Sequence, residues 1–181
     1  MRVVAGEARG RRLVVPAGNS IRPTSDRVRE AVFNALGSMD AVDGASVVDL
    51  FAGSGALGIE ALSRGAAHAV FVDDARAAVE AIQANVASTG LADRARVARG
   101  EAVGWAATSP SRFDLALVDP PYAFDGWHAL LELLPADVVV IESDRPVEVS
   151  DRWEVLRDRR YGSTVVRIAR RLPAPRSTEV P

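Results

Sequence analysis

Three glycines that follow a strongly apolar run have the spacing of a nucleotide-binding loop. Gly53, Gly55 and Gly58 fit the pattern G-x-G-x-x-G between a predicted strand at 46–50 and a predicted helix at 56–64. In this context the glycines permit a tight turn and let the backbone approach a ligand closely. The pattern alone is compatible with a dinucleotide and with S-adenosylmethionine.

Two aspartates stand at predicted strand ends, and the first of them distinguishes between these ligands. Asp49 precedes Gly53 by four residues, so its carboxylate faces the cradle that the loop forms. A carboxylate there would repel the pyrophosphate of a dinucleotide, whereas it attracts the ammonium and sulfonium groups of S-adenosylmethionine. Asp73 ends the next predicted strand and is placed to accept hydrogen bonds from ribose hydroxyls. Asp49 therefore favours S-adenosylmethionine, whereas a ribose contact of Asp73 fits either ligand.

A second motif, Asp119-Pro120-Pro121-Tyr122, follows the predicted strand at 113–118. The two prolines end the strand sharply and hold the next residues extended. The Asp119 carboxylate and the Pro120 carbonyl both accept hydrogen bonds, which suits an exocyclic amino group on a planar base. Tyr122 offers a face on which that base can stack. We interpret the motif as the binding site for a target base.

Alternating strands and helices must position these residues. Apolar runs predict buried strands at 46–50, 69–72, 95–98, 113–118 and 137–141. Helices are predicted at 56–64, 75–88, 102–107 and 126–134. This alternation is typical of an α/β protein with a parallel sheet, helices on both faces and the site at the carboxyl ends of the strands. Two further runs, 153–157 and 163–169, predict an antiparallel hairpin at one edge, which makes seven strands.

The beginning of the chain is predicted to be a basic extension. Runs 2–5 and 12–15 flank a glycine-containing turn, which predicts a β-hairpin with Arg9, Arg11 and Arg12 at its tip.

A helix is predicted after this hairpin. Pro23 stiffens its entry, Thr24 or Ser25 caps it, and Gly37 ends it. The predicted organisation is an extension over 1–40, a main domain over 41–171 and a disordered, proline-rich tail over 172–181.

Composition excludes several classes of site. The chain has 181 residues, of which 48% are hydrophobic and 25% charged, as in a soluble globular protein. The absence of cysteine excludes disulfides, thiolate metal sites and cysteine nucleophiles, and two histidines leave little for a histidine metal cluster. No 18-residue apolar run and no signal-peptide pattern is present, so we expect a cytoplasmic protein that needs neither membrane nor metal.

Charge is unevenly distributed along the chain. Residues 1–30 contain seven arginines and three acidic residues, a net charge of +4. Residues 31–154 contain eight arginines and nineteen acidic residues, a net charge of −11. Residues 155–181 contain seven arginines and two acidic residues, a net charge of +5. Basic ends around an acidic middle indicate a localised anionic partner such as nucleic acid, although ordinary solvated arginines would give the same composition.

Taken together, the motifs resemble those of a known group of enzymes. The segment Asp49–Gly58 with Asp119–Tyr122 is similar to the class I S-adenosylmethionine-dependent methyltransferases that modify amino groups of bases. The resemblance narrows to the bacterial 16S ribosomal RNA (guanine-N2) methyltransferases of RsmD type through four stretches: Arg9–Arg11, Arg22–Glu30, Phe33–Asn34 and Asp49–Arg64. It covers roughly residues 1–170, and R-P-T-S-D-R-V-R-E over 22–30 is its most specific part.

The resemblance implies a Rossmann-like fold and a role for each motif. Asp49, Gly53 and Gly55 would hold the methionine part of the cofactor, Asp73 the ribose, and Glu101-Ala102 would border the adenine. The full set of implied cofactor residues is Asp49, Phe51, Ala52, Gly53, Gly55, Asp73, Glu101, Ala102 and Asp119. Asp119 to Tyr122 would hold the target guanine. The implied RNA-facing arginines are Arg9, Arg11, Arg12, Arg22, Arg27 and Arg29.

The chemistry that this resemblance implies needs few further groups. The guanine N2 lone pair is delocalised into the ring, so acceptors that hold its hydrogens favour a pyramidal, nucleophilic nitrogen, and positioning does most of the rest. The expected partner is 16S rRNA in the small ribosomal subunit or its assembly intermediate, bound by a monomer. Two alternatives stay open: a DNA or RNA methyltransferase acting on adenine N6 or cytosine N4, and a non-catalytic binding module.

Overall fold

The computed structural model describes residues 1–16 and 26–173. Its strands are β1 Ser46–Leu50, β2 His68–Asp73, β3 Ala95–Arg99, β4 Phe113–Val118, β5 Ala136–Ser143, β6 Trp153–Tyr161 and β7 Thr164–Arg171. Its helices are α1 Asp26–Gly37, α2 Ala56–Ser63, α3 Arg76–Thr89, α4 Ala102–Thr108 and α5 Trp127–Leu133, with a 3₁₀ turn at Ala92–Arg94. None of these helices is long and apolar enough to cross a lipid bilayer.

One seven-stranded sheet has the order β3-β2-β1-β4-β5-β7-β6. The strands β1 to β5 pair in parallel, and β7 pairs antiparallel with both β5 and β6. The predicted α/β fold, with a mostly parallel sheet and an antiparallel hairpin at one edge, is confirmed. The strand order reverses between β1 and β4, and ligands of open α/β sheets bind in the crevice at such a reversal.

The core lies on both faces of the sheet because successive side chains of a buried strand point to opposite sides. In β1, Val47 packs with the residues of α2 and α3, while Val48 packs with those of α4 and α5. The first of these two layers also contains Val3, Leu13 and Phe33. The described parts of the predicted extension, residues 1–16 and 26–40, therefore share their core with the main sheet.

The N-terminal segment, residues 1–16, is less regular than the hairpin predicted for it. A single antiparallel bridge joins Arg2 and Arg12, where two four-residue strands were expected. Backbone bonds join Val3 to Arg11 and Leu13 to Met1 around this bridge, but beyond Val3 a side chain takes the place of the partner strand. The amides of Val4 and Ala5 donate to the two carboxylate oxygens of Glu60 at 2.8 and 3.0 Å. Once these amides are committed to α2, a regular ladder cannot continue.

Helix α1 ends at Gly37, as predicted, but one of its arginines lies in the interior. The Arg29 side chain is fully buried, donates to the Arg2 carbonyl and to Asp26 at 2.8 Å, and pairs with Glu60 at 3.6 Å. The prediction that Arg29 faces RNA is therefore wrong. The predicted entry to this helix, at Pro23, Thr24 and Ser25, lies outside the described residues, as do Arg22 and the tail beyond Pro173.

Candidate active site

A cavity of about 230 Å³ opens at the carboxyl ends of β1, β2 and β4. Leu50 and Val118 are register partners at the ends of β1 and β4, so the loops that follow these two strands lie side by side. The predicted cofactor residues that line the cavity are Asp49, Phe51, Ala52, Gly53, Asp73, Glu101, Ala102 and Asp119. Gly55, also predicted, does not line it. The topology thus brings together the glycine loop (Gly53–Gly58), the acidic strand ends and the start of the proline motif (Asp119–Tyr122).

The three glycines of the loop have different functions. Gly53 has a φ of +57°, and a Cβ there would meet only the Phe51 carbonyl oxygen, at 3.9 Å, so its face is open to a ligand. At Gly55, a Cβ would lie 3.3 Å from Phe71 and from Ile82, and at Gly58 it would lie 2.3 Å from Phe71. The last two glycines therefore let α2 pack closely on β2, and Gly53 provides the ligand-facing backbone.

Asp49 is a buried acid in the wall of the cavity. Its carboxylate is 1% exposed and accepts a hydrogen bond from Gly58 N at 2.8 Å. Burial raises the pKa of the Asp49 carboxyl well above its usual range, in spite of the hydrogen bond from Gly58, and the nearby charges of Asp119 and Asp73 raise it further. Three carboxyl groups thus act on one another at this cavity, which favours a ligand with positive charge.

Asp73 and Glu101 are tied to the backbone around the cavity. Asp73 accepts hydrogen bonds from Gly53 N at 2.8 Å and Ala75 N at 3.0 Å, so it fixes the glycine loop against the end of β2. Each carboxylate oxygen has a second lone pair, which leaves capacity for a ribose hydroxyl. Glu101 caps α4 through bonds from Val103 N at 2.9 Å and Gly104 N at 2.7 Å. The adenine contact expected of Glu101 stays a prediction.

The proline motif contributes two of its four residues to the cavity wall. Asp119 and Pro121 line it, whereas Pro120 is buried and Tyr122 is half exposed beside it. Arg145, which follows β5, donates to the carbonyls of Tyr122 and Phe124, both at 3.0 Å. The segment after β5 therefore buttresses the loop that carries the motif, a role that the sequence did not reveal.

Aromatic side chains join this loop to the glycine loop. The Phe51 and Phe124 rings meet edge-on with centroids 5.0 Å apart, and Phe124 meets Trp127 at 5.2 Å. Trp127 is buried on α5 and supports the loop of the proline motif through its contact with Phe124. Phe51 has a φ of +59°, which is uncommon for a residue with a side chain and is typical of functional loops.

The N-terminal segment also reaches the cavity, through Met1, Val15 and Pro16. Sequence reasoning did not find these three residues, because the bonds that place this segment, such as those between Val14 and Asn85, join positions far apart in the chain. Of the arginines expected to contact RNA, Arg9, Arg11, Arg12 and Arg27 are exposed. Within the described ranges no cluster of three candidate metal ligands occurs.

Comparison with known proteins supports the resemblance found in the sequence. The family described as Conserved hypothetical protein 95 matches residues 1–170. The chain belongs to this family. Within it, the chain is 40% identical to the "Putative rRNA methyltransferase YlbH" of Bacillus subtilis, over 93% of this chain and 97% of that protein. It is 36% identical to the "Ribosomal RNA small subunit methyltransferase D" of Escherichia coli K12, over 94% and 90% of the respective chains.

Solved structures agree with this membership of the family. The "Putative methyltransferase yhhF from Escherichia coli" superimposes with a TM-score of 0.84 at 35% identity, covering 94% of this chain and 97% of that one. The "hypothetical protein TTHA0928" of Thermus thermophilus gives a TM-score of 0.77 at 32% identity, covering 93% and 98%. The predicted Rossmann-like methyltransferase fold and the resemblance to the RsmD type are confirmed.

Proposed function

We propose that this chain is an rRNA methyltransferase that transfers a methyl group from S-adenosylmethionine to the exocyclic N2 of a guanine in 16S rRNA. The general activity is supported by the relatives named as rRNA methyltransferases. The observation that carries the finer proposal is the meeting of the two motifs: Asp119 and Pro121 line the same cavity as Asp49 and Gly53. A methyl donor and a base amino group held by these motifs would be adjacent.

The residues of the cavity fit S-adenosylmethionine better than a dinucleotide. Gly53 presents an open backbone face, and Asp49, Asp73 and Asp119 concentrate negative charge that suits an ammonium and a sulfonium. A pyrophosphate in the same place would be repelled. When bound, S-adenosylmethionine supplies an already activated methyl group, so the protein has only to hold donor and acceptor in line.

The proline motif supplies acceptors for the target amino group. The Asp119 carboxylate and the Pro120 carbonyl would accept hydrogen bonds from the two N2 hydrogens, which favours a pyramidal nitrogen as the new N–C bond forms and the C–S bond breaks. The half-exposed ring of Tyr122 would stack on the base. Exposed Arg9, Arg11, Arg12 and Arg27 would contact phosphates of the small-subunit RNA.

Nucleoside mass spectrometry after a reaction in vitro tests the proposal. Purified protein is incubated with S-adenosylmethionine and small ribosomal subunits from a strain lacking the corresponding gene, with the Asp119→Ala variant in parallel. We expect N2-methylguanosine in 16S rRNA, and a rate at least about a hundredfold lower for the variant. N6-methyladenosine or N4-methylcytidine would favour the first alternative activity. Cofactor binding without any transfer would favour a binding module.

A further inference from the structure

Asn85 connects the N-terminal segment to the glycine loop. It lies on α3 and is 1% exposed. Its Oδ1 accepts a hydrogen bond from Val14 N at 2.8 Å, and its Nδ2 donates to Val14 O and to Ser54 O, each at 2.8 Å. Ser54 lies between the first two glycines of the loop. One buried side-chain amide therefore forms hydrogen bonds with both the N-terminal segment and the backbone of the glycine loop.

The donor and acceptor groups of the Asn85 side chain all form hydrogen bonds. Both Nδ2 hydrogens have acceptors, and Oδ1 has a donor, so Val14 is held on its N–H and its C=O as it would be by a neighbouring strand. A side chain that lacked either function would lose bonds to Val14, and one that lacked the donor would also leave the buried Ser54 carbonyl without this partner, which is costly. The position of Val14 is thus set by α3.

The residues that follow Val14 form part of the cavity wall. Val15 and Pro16 line the cavity, and Val15 keeps an exposed apolar side chain there. Met1 also lines it, and its Sδ lies 3.8 Å from Ser54 Oγ. The same segment carries the exposed arginines 9, 11 and 12 between these two contacts. Groups suited to a cofactor and groups suited to RNA are therefore on one short piece of backbone.

We propose that Asn85 is a positioning residue that couples cofactor binding to RNA binding through the N-terminal segment. The inference rests on the proposed function, since it takes S-adenosylmethionine and RNA as the two ligands. Each ligand contacts the N-terminal segment while the segment is held against α3. Each ligand therefore stabilises the arrangement of the segment that the other ligand needs. The coupling is then positive, and it is equal in both directions by thermodynamic linkage.

Calorimetry with S-adenosylmethionine tests the cofactor side. We expect Asn85→Ala to raise the Kd about tenfold, and Val15→Ala, which leaves all three amide bonds in place, to raise it a few-fold. The matched control is Gln83→Ala, an exposed amide on the same helix, whose Kd should equal that of the wild type. A purely structural role for Asn85 would lower the fraction of binding-competent protein and leave the Kd of that fraction unchanged.

Filter binding of small ribosomal subunits, with and without S-adenosylhomocysteine, tests the coupling without turnover. We expect the nucleoside to tighten RNA binding about fivefold in the wild type and in Gln83→Ala, and to have no effect in Asn85→Ala. Wild-type protein that fails to bind S-adenosylmethionine would overturn the proposed function together with this inference. Normal cofactor binding with equal Kd values for all variants, or with no effect of the nucleoside on RNA binding, would overturn the inference alone.

Discussion

Asp49 carries a carboxyl group that is buried next to two other acids, and its ionisation is costly for the folded protein. Asn has the same shape and still accepts a hydrogen bond from Gly58 N. We expect Asp49→Asn to raise the free energy of unfolding at neutral pH by about 0.5–2 kcal/mol and to weaken S-adenosylmethionine binding by about 1.5–3 kcal/mol. Chemical denaturation and calorimetry measure the two effects.

The control for this variant is Asp114→Asn. Hydrogen bonds from Ser46 lower the pKa of the Asp114 carboxyl, so its charge is favoured in the folded state. Removing that charge should not stabilise the protein. If Asp49→Asn binds the cofactor as tightly as the wild type, the buried charge does not recognise the ligand.

The raised pKa of Asp49 also predicts a pH dependence. Between the ordinary carboxyl range and the raised value, the folded state binds more protons than the unfolded state, so this contribution to stability is complete at low pH and is lost as pH rises through the folded pKa. A cationic ligand favours the ionised form. S-adenosylmethionine should therefore bind more tightly as pH rises through this window, with release of a proton.

Calorimetry in two buffers of different ionisation enthalpy measures that proton. Asp49→Asn should bind without this proton release, which identifies the group. Proton uptake by the wild type on binding would contradict the assignment, since it would mean that the ligand prefers the neutral acid.

Arg145 holds the loop of the proline motif through two carbonyls, and its side chain is half exposed. We expect Arg145→Ala to leave the unfolding transition and the Kd for S-adenosylmethionine nearly unchanged, and to lower kcat/KM for the RNA substrate about tenfold to a hundredfold, because Asp119 and Tyr122 lose their alignment. Steady-state kinetics with small subunits measure this effect. Arg152→Ala, which breaks another exposed ion pair, to Glu132, should behave as the wild type.

At the scale of elements, Glu60 on α2 holds the N-terminal segment and α1 in place. Its buried carboxylate accepts bonds from two backbone amides and from Arg64, and it pairs with Arg29. Removing Arg29 would take away one of the two cations that pair with this charge and the bond to the Arg2 carbonyl, and it would leave a cavity in the interior. We expect Arg29→Ala to destabilise the protein by about 3–5 kcal/mol, as measured by denaturation.

Arg27→Ala on the same helix provides the contrast. Arg27 is exposed, so its loss should change stability by less than about 0.5 kcal/mol. If the two variants were equally stable, the buried ion pair would not support the docking of α1.

The central strands β1, β2, β4 and β5 were predictable from the sequence because they are nearly continuous apolar runs, whereas β3, also predicted to be buried, has no buried residue because it lies at the edge of the sheet. The site followed because parallel strands place their carboxyl ends together. The N-terminal segment was not predictable in the same way, since its backbone amides donate to the side chains of Glu60 and Asn85, which lie 55 to 71 positions away in the sequence. A usable signal did exist. Arg29 is in helical phase with buried Val32, Phe33 and Leu36, and Asn85 with Ala78 and Ile82. Because arginine and asparagine are polar, sequence reasoning did not assign Arg29 and Asn85 to the core.

At the scale of the whole molecule, negative charge in the cavity lies close to positive charge on the outer surface. The cavity is acidic, whereas Arg9, Arg11 and Arg12 project from the segment whose end borders it. This arrangement suits a cationic cofactor inside and a polyanion outside. The sequence indicated both charges, and the structure adds that one short segment runs from the exposed arginines to the wall of the acidic cavity.

Replacing Arg9, Arg11 and Arg12 together with Ala tests the outer surface. Each phosphate contact that is lost should reduce the slope of log affinity against log salt by about 0.7–0.9. We therefore expect weaker binding of small subunits with a shallower salt dependence, measured by filter binding over a salt series. None of the three arginines lines the cavity, so the Kd for S-adenosylmethionine without RNA should be unchanged.

Net charge alone would give a similar loss of affinity, so the position of the arginines needs its own control. Arg76, Arg96 and Arg112 are also exposed, and replacing these three with Ala removes the same charge from other parts of the surface. A direct contact predicts a reduced slope only for the N-terminal variant, because counterions are released where phosphates are neutralised. Equal slopes for the two variants would mean that the N-terminal segment supports the cavity and that RNA binds on another surface.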